Sequence, residues 1–249
     1  MKNSVSLSIF SLLLAFNIQA QYLWQVFPDK VVKWNYYDGD EFNKEKLDET
    51  KWITSQPWGR PVHSQEIIYV KDNVVFENGI AQFQIRKENK LFELYPWEFD
   101  TASLRKDKIP LVDGNKINFK YSGGLLWSKK KYKYGYFEIK FKASEGQGIW
   151  PAFWLYGANP NNEIDFYELK GEKEKTLHVD IHCPDGCSNY IDTWYGYRKS
   201  WGHWVEISKR LSEEYNVVSG EWTADYIKWY FNGMLMAYSN HSYDLDMWL

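Results

Sequence analysis

Several things are scarce in this sequence, and each scarcity excludes a class of protein. Helical periodicity is almost absent over the 249 residues, so a helical bundle or an alternating α/β chain is excluded. There are only two cysteines, too few to hold a thiolate zinc centre. The formal net charge of −3 gives no broad basic field for nucleic acid. No stretch is long and apolar enough to span a bilayer comfortably. There is no internal repeat, low-complexity tract or linker. Glu145-Gly146-Gln147-Gly148 contains Gly-x-Gly but runs into a strand, so it reads as a turn and not as a dinucleotide fingerprint.

What is abundant is aromatic. Phe, Trp and Tyr make up 19% of the chain, with 14 Trp and 19 Tyr. A Trp-rich β core accounts for many of them. Exposed Trp and Tyr faces also suit sugar rings, because the ring is apolar and its edge carries a polar group. Short alternating runs bounded by Gly, Asn, Asp and Pro predict a sandwich or barrel. Ile80 to Tyr95 reads as a hairpin turning at Lys87-Glu88-Asn89-Lys90. Tyr134 to Lys142 alternates, with Phe137, Ile139 and Phe141 on one face. Tyr226 to Tyr238 reads as two strands joined by a type I′ turn at Asn232-Gly233.

Residues 1–20 read as a secretory signal. Lys2 supplies the positive region, Ile9 to Phe16 the apolar run, and Asn17-Ile18-Gln19-Ala20 the cleavage site. Residues 21–249 then form one exported domain, expected to be a monomer. Export permits a disulfide between Cys183 and Cys187, whose Pro184-Asp185-Gly186 spacer is a turn signal.

The most informative segment is Glu163-Ile164-Asp165-Phe166-Tyr167-Glu168. On a strand, Glu163 and Asp165 share one face, and Glu168 is out of phase by one residue. One bulge at Phe166-Tyr167 returns it to the carboxylate face. Glu163 and Glu168 are then about four steps apart, or ~13 Å between Cα atoms. Side chains leaning together leave roughly 5 Å between carboxyl groups, the separation of a retaining glycosidase. Asp165 between them can hydrogen-bond the nucleophile and raise the pKa of the acid.

Two flanking segments extend this face. Ile149 to Leu155 sets Trp150, Ala152 and Trp154 together, with Ala152 leaving room for a sugar between the two indoles. Leu177 to His182 sets His178, Asp180 and His182 together, over Leu177, Val179 and Ile181 on the other face. This trio reads as the polar wall of a substrate groove. The alternative is a metal site, since imidazole and carboxylate suit zinc, but no fourth ligand is apparent.

These residues resemble glycoside hydrolase family 16, the laminarinase, agarase and carrageenase group. The resemblance rests on the bulged E-x-D-x-x-E run and on Gly146 to Leu155 before it. Weaker matches are Asp40 to Asn43 with Lys51-Trp52, Ser122 to Lys129, Tyr134 to Glu138, and Glu221-Trp222-Thr223 through Gly233. It implies an all-β jelly-roll sandwich of two antiparallel sheets with a concave substrate cleft. It also implies endo-acting, retaining hydrolysis of a β-linked polysaccharide. Glu163 would be the nucleophile, Glu168 the acid/base and Asp165 the supporting carboxylate, with Trp150 and Trp154 as sugar platforms. No cofactor is expected, with room for a structural calcium. Family members usually continue beyond Met247-Trp248-Leu249, so the fold is expected to be incomplete at the C-terminus. β-1,3-Glucan is the first expected substrate, with agarose, porphyran and carrageenan as alternatives. A non-catalytic carbohydrate-binding protein and a metal-dependent hydrolase are the competing functions.

Overall fold

The computed structural model describes residues 32–59, 67–93, 111–158, 161–183 and 200–249. The expected signal segment and Cys187 lie outside the described residues. The chain divides into two units, Met1–Tyr37 and Asp38–Leu249, and every described strand lies in the second. Among the described residues the one helix is the 3-10 turn Lys71–Asn73.

Two sheets carry the core. The six-stranded sheet runs Ser200–Glu206, Thr176–His182, Asn161–Glu168, Ala152–Ala158, Met247–Trp248, Lys131–Tyr132. The four-stranded sheet runs Gly135–Phe141, Asn216–Trp222, Ile227–Phe231, Met234–Ser239. Every pairing in both sheets is antiparallel. Strand alternation explains how they pack. Leu155, Ile164, Phe166, Leu177, Val179 and Ile181 point inward from the first sheet and are fully buried. They share one core with Val218, Trp222, Ile227 and Trp229 of the second. Each such side chain contributes about 1.5–3 kcal/mol on burial. Asn232 and Gly233 both have positive φ, as the expected I′ turn requires.

One sequence expectation is corrected. The residues Lys87 to Lys90 do not turn. They lie within one strand, Arg86–Glu93, antiparallel to Lys116–Gly123 with a bulge between Lys87 and Lys90. Their polarity suits an exposed strand held by its ladder, and Glu88 accepts a hydrogen bond from Ser122 across that ladder. The actual turn is earlier, at Asn78-Gly79, where φ is 53° and 74° between Val74–Glu77 and Ile80–Phe83. Outside the two core sheets one pairing is parallel, with Ile67–Tyr69 beside Tyr121 to Gly123.

Candidate active site

The acid strand Asn161–Glu168 lies between Ala152–Ala158 and Thr176–His182, and the registers build a grid. Glu163 faces Tyr156 on one side and His182 on the other. Asp165 faces Trp154 and Asp180. Glu168 faces Ala152 and His178. From Asp165 to Glu168 the acid strand advances three residues while each neighbour advances two. That is a single bulge, at the expected position. Both bulge residues turn to the core, with Phe166 stacked on Phe137 at 5.4 Å and Tyr167 on Phe141 at 4.4 Å. Two consecutive inward residues reset the phase and return Glu168 to the carboxylate face.

The opposite sheet is shaped to this bulge. Trp229 Nε1 donates to the Asp165 carbonyl at 2.8 Å. A Cβ added at Gly220 would sit 2.0 Å from the Phe166 ring, so glycine alone admits that ring.

Each carboxylate has polar partners. Glu168 accepts from Trp150 Nε1 at 2.9 Å and meets His178 Nδ1 at 3.2 Å. Asp165 Oδ2 lies 3.2 Å from His182 Nε2, which is also 3.7 Å from Asp180 Oδ2. Asp180 Oδ1 accepts the Ile181 N–H at 2.6 Å. A Cβ at Gly202, across the ladder, would stand 2.7 Å from the Asp180 carboxyl carbon. His178 is buried against Glu168 and Asp180 is buried within 4.0 Å of both histidines, whereas His182 is 42% exposed.

Burial dominates the ionisation of this cluster. It pushes Glu163 well above the usual carboxylate range, and the Asp165 charge adds to this. It pushes Asp165 well up too, reinforced by Glu168 and Asp180. Burial also acts upward on Glu168, but the hydrogen bonds from His178 and Trp150 outweigh it, so Glu168 is held below its ordinary value. The sequence reading expected the reverse for Glu168. Burial and like charge thus favour the protonated forms of Glu163 and Asp165, and the donors around Glu168 favour its carboxylate form.

The trio expected as a metal alternative does not converge, because His178 turns to Glu168. Among the described residues, Glu163, Asp165 and His182 are the group whose ligating atoms all lie within 4.8 Å of one another. Cys183 is buried and disulfide-bonded.

A family model described as glycosyl hydrolases family 16 matches residues 62–246. The chain belongs to that family. Over 214 residues it is 27% identical to a glucan endo-1,3-beta-glucosidase A1 of Niallia circulans, covering 78% of this chain and 28% of the relative. It is 26% identical over 199 residues to beta-porphyranase D of Zobellia galactanivorans, covering 74% of this chain and 42% of that one. The chain thus spans well under half the length of these two relatives. The fold matches the laminarinase catalytic domain from Thermotoga maritima with a TM-score of 0.65 at 22% identity, covering 87% of this chain and 85% of that one. The sandwich is therefore the family 16 jelly roll.

Within this family 16 site, sequence reasoning missed the aromatic neighbours of Trp154. Trp127 packs edge-on against it at 4.9 Å, and Tyr156 lies 5.7 Å away. Trp58 joins them, 5.8 Å from Tyr156 and half exposed. Tyr156 continues the alternation of Trp154 and could have been read from it. Trp127 and Trp58 arrive from distant segments and carry no local signal. Trp150 precedes its strand, which starts at Ala152 after Pro151, yet its indole still reaches Glu168. It is half exposed, open to a sugar face.

Proposed function

We propose that this chain is an exported, endo-acting, retaining β-glycanase in which Glu163 is the nucleophile and Glu168 the acid/base. The bulge carries this reading, because it puts two glutamates on one face with a third acid between them. A binding protein has no use for that arrangement. Glu163 attacks the anomeric carbon, and the glycosidic bond breaks as Glu168 gives its proton to the leaving oxygen. Glu168 then takes a proton from water, whose oxygen displaces Glu163 and releases the sugar.

For the attack, the proton shared by Glu163 and Asp165 must lie on Asp165, which leaves Glu163 anionic and hydrogen-bonded. Glu168 must gain a proton before it acts. A sugar seated against Trp150 and Ala152 competes for the Trp150 N–H and removes water from the carboxyl, and both effects raise its pKa. Trp150, Trp154 and His182 line the subsites. The substrate class is a β-linked glucan or galactan, with β-1,3-glucan first. No cofactor is assigned to the chemistry, and the chain acts as a monomer outside the cell.

Glu163→Ala tests the roles. We expect kcat to fall by about 10³ or more while the polymer still binds, and azide to restore turnover by replacing the missing nucleophile. Reducing-end release from β-glucans and galactans, run with and without chelator, is the measurement. Wild-type turnover in the variant refutes the assignment, and loss of activity with chelator restores the metal reading.

A further inference from the structure

The Glu168 end of the cleft has a positive rim. Lys170 Nζ lies 5.1 Å from the centre of the Trp150 ring and 5.3 Å from that of Trp204. Lys173 Nζ lies 5.4 Å from the Trp204 ring. Trp204 stands on the same rung as Glu168 and His178, and its ring packs 4.9 Å from the His178 ring. Both ammonium groups therefore sit at the side of the cleft where Glu168 works.

Among the described residues neither ammonium is spent in an ion pair, with no carboxylate within 4.0 Å of either. Glu168 is taken by His178 and Trp150. Glu172, between the two lysines in sequence, is exposed and lies within 4.0 Å of neither ammonium, and Glu174 is taken by Arg210 and Ser212. An aromatic face attracts a cation without neutralising it, and the ammonium keeps donors for another acceptor.

The presentation is rigid. The turn carrying both lysines is tied to the segment carrying Trp150 by three backbone bonds: Leu169 N to Pro151 O, Gly171 N to Ile149 O, and Gly146 N to Gly171 O. A Cβ at Gly171 would stand 2.3 Å from the Gly146 carbonyl oxygen, so this close approach needs glycine. Within the turn, Lys173 N donates to Lys170 O at 2.7 Å.

Two ammonium groups held at the rim on aromatic faces, in no ion pair with the chain, keep donors for an acceptor carried by the ligand. We infer that Lys170 and Lys173 receive an anionic substituent, a sulfate ester or a carboxylate, on the sugar bound beside Glu168. Within the proposed class of β-linked glucans and galactans, this puts an acidic polymer ahead of unsubstituted β-1,3-glucan. The inference rests on the cleft being the polysaccharide site of the proposed glycanase.

The test separates binding from cleavage. The Glu163→Ala protein is run by affinity electrophoresis in gels containing κ-carrageenan or the same polymer desulfated. Parallel gels contain carboxymethylated or unmodified β-1,3-glucan. Retention by at least one charged polymer is expected to be roughly three- to tenfold stronger than by its neutral counterpart, and to weaken with salt. Lys170→Gln with Lys173→Gln should bring that ratio to about one, and Lys170→Arg with Lys173→Arg should preserve it. Preference for the sulfated polymer alone identifies a sulfate ester, and preference in both pairs identifies general anion recognition. Equal retention of charged and neutral polymers overturns the inference, as does a ratio that the glutamine pair leaves unchanged. If the wild type releases no reducing ends from any of the four polymers while the ratio holds, the glycanase reading fails and the anion site stands.

Discussion

Burial lifts the Asp180 carboxyl from 3.8 to about 6, against the pull of His182 and His178. An acid with a higher pKa in the fold than in the unfolded chain is favoured in its protonated form. Its contribution to stability is present below about pH 4 and is lost as pH rises to about 6. The interval from 3.8 to about 6 corresponds to about 3 kcal/mol. Asp180→Asn keeps an oxygen for the Ile181 N–H and cannot ionise. The variant should be more stable than the wild type by about 3 kcal/mol at pH 7.5 and nearly equal to it at pH 4. Urea unfolding at the two pH values measures this, and a difference independent of pH refutes the argument. His178 acts on catalysis by the opposite sign, because its Nδ1 supports the Glu168 carboxylate. In His178→Ala, Glu168 should titrate higher and the alkaline limb of kcat/KM should move to higher pH. The optimum value should fall by about tenfold to a hundredfold from lost positioning. A mere packing role lowers the rate without moving the limb.

At the scale of the strand, the bulge is a two-sheet construction. Phe166 occupies the space that Gly220 leaves on the facing sheet, and Trp229 holds the carbonyl beside it. Gly220→Ala puts a methyl 2.0 Å from the Phe166 ring, so the ring or the bulge must shift. We expect a loss of about 1–3 kcal/mol and a fall in Tm of about 2–10 °C. kcat should fall with it, because Glu168 moves with the bulge. Phe166→Leu in the same chain should recover part of the Tm, the non-additivity of residues in contact. The bulge was legible in the sequence because three acids interleaved with apolar residues make sense only on one face. Its support was not, since Gly220 and Trp229 come from a strand pair more than fifty residues later. The strand over Lys87 to Lys90 was illegible for a related reason. Its place is set by pairing with Lys116–Gly123, and charged residues on an exposed strand look the same as a turn. His178 and Asp180 were read on the correct face. Their burial depends on Trp204 and Gly202 of the next strand, which local alternation does not reveal.

At the scale of the whole molecule, the cleft sheet is assembled from segments far apart in sequence. Met247–Trp248 sits between Ala152–Ala158 and Lys131–Tyr132, pairing Trp248 with Tyr156 and Met247 with Tyr132. Leu249 exchanges two hydrogen bonds with Ser128, its N–H to Oγ at 2.9 Å and its carbonyl from the Ser128 N–H at 2.7 Å. Ser128 adjoins Trp127, which packs on Trp154 beside Asp165. The last strand thereby supports the aromatic wall of the cleft. Two residues of strand have no periodicity, so this role is not legible in the sequence. Met247 is fully buried in the main core. Met247→Ala should therefore cost about 2–5 kcal/mol. If the strand also positions the aromatic wall, the near-ultraviolet circular dichroism of the indole cluster should change in the still-folded variant, and KM for polymer should rise more than kcat falls. Trp248→Ala provides the control. It removes the ring that Lys131 covers at 3.7 Å but leaves the buried methionine in place, so its stability loss should be smaller. Equal losses in the two variants would mean that the edge pairing, and not the buried side chain, holds this end of the sheet.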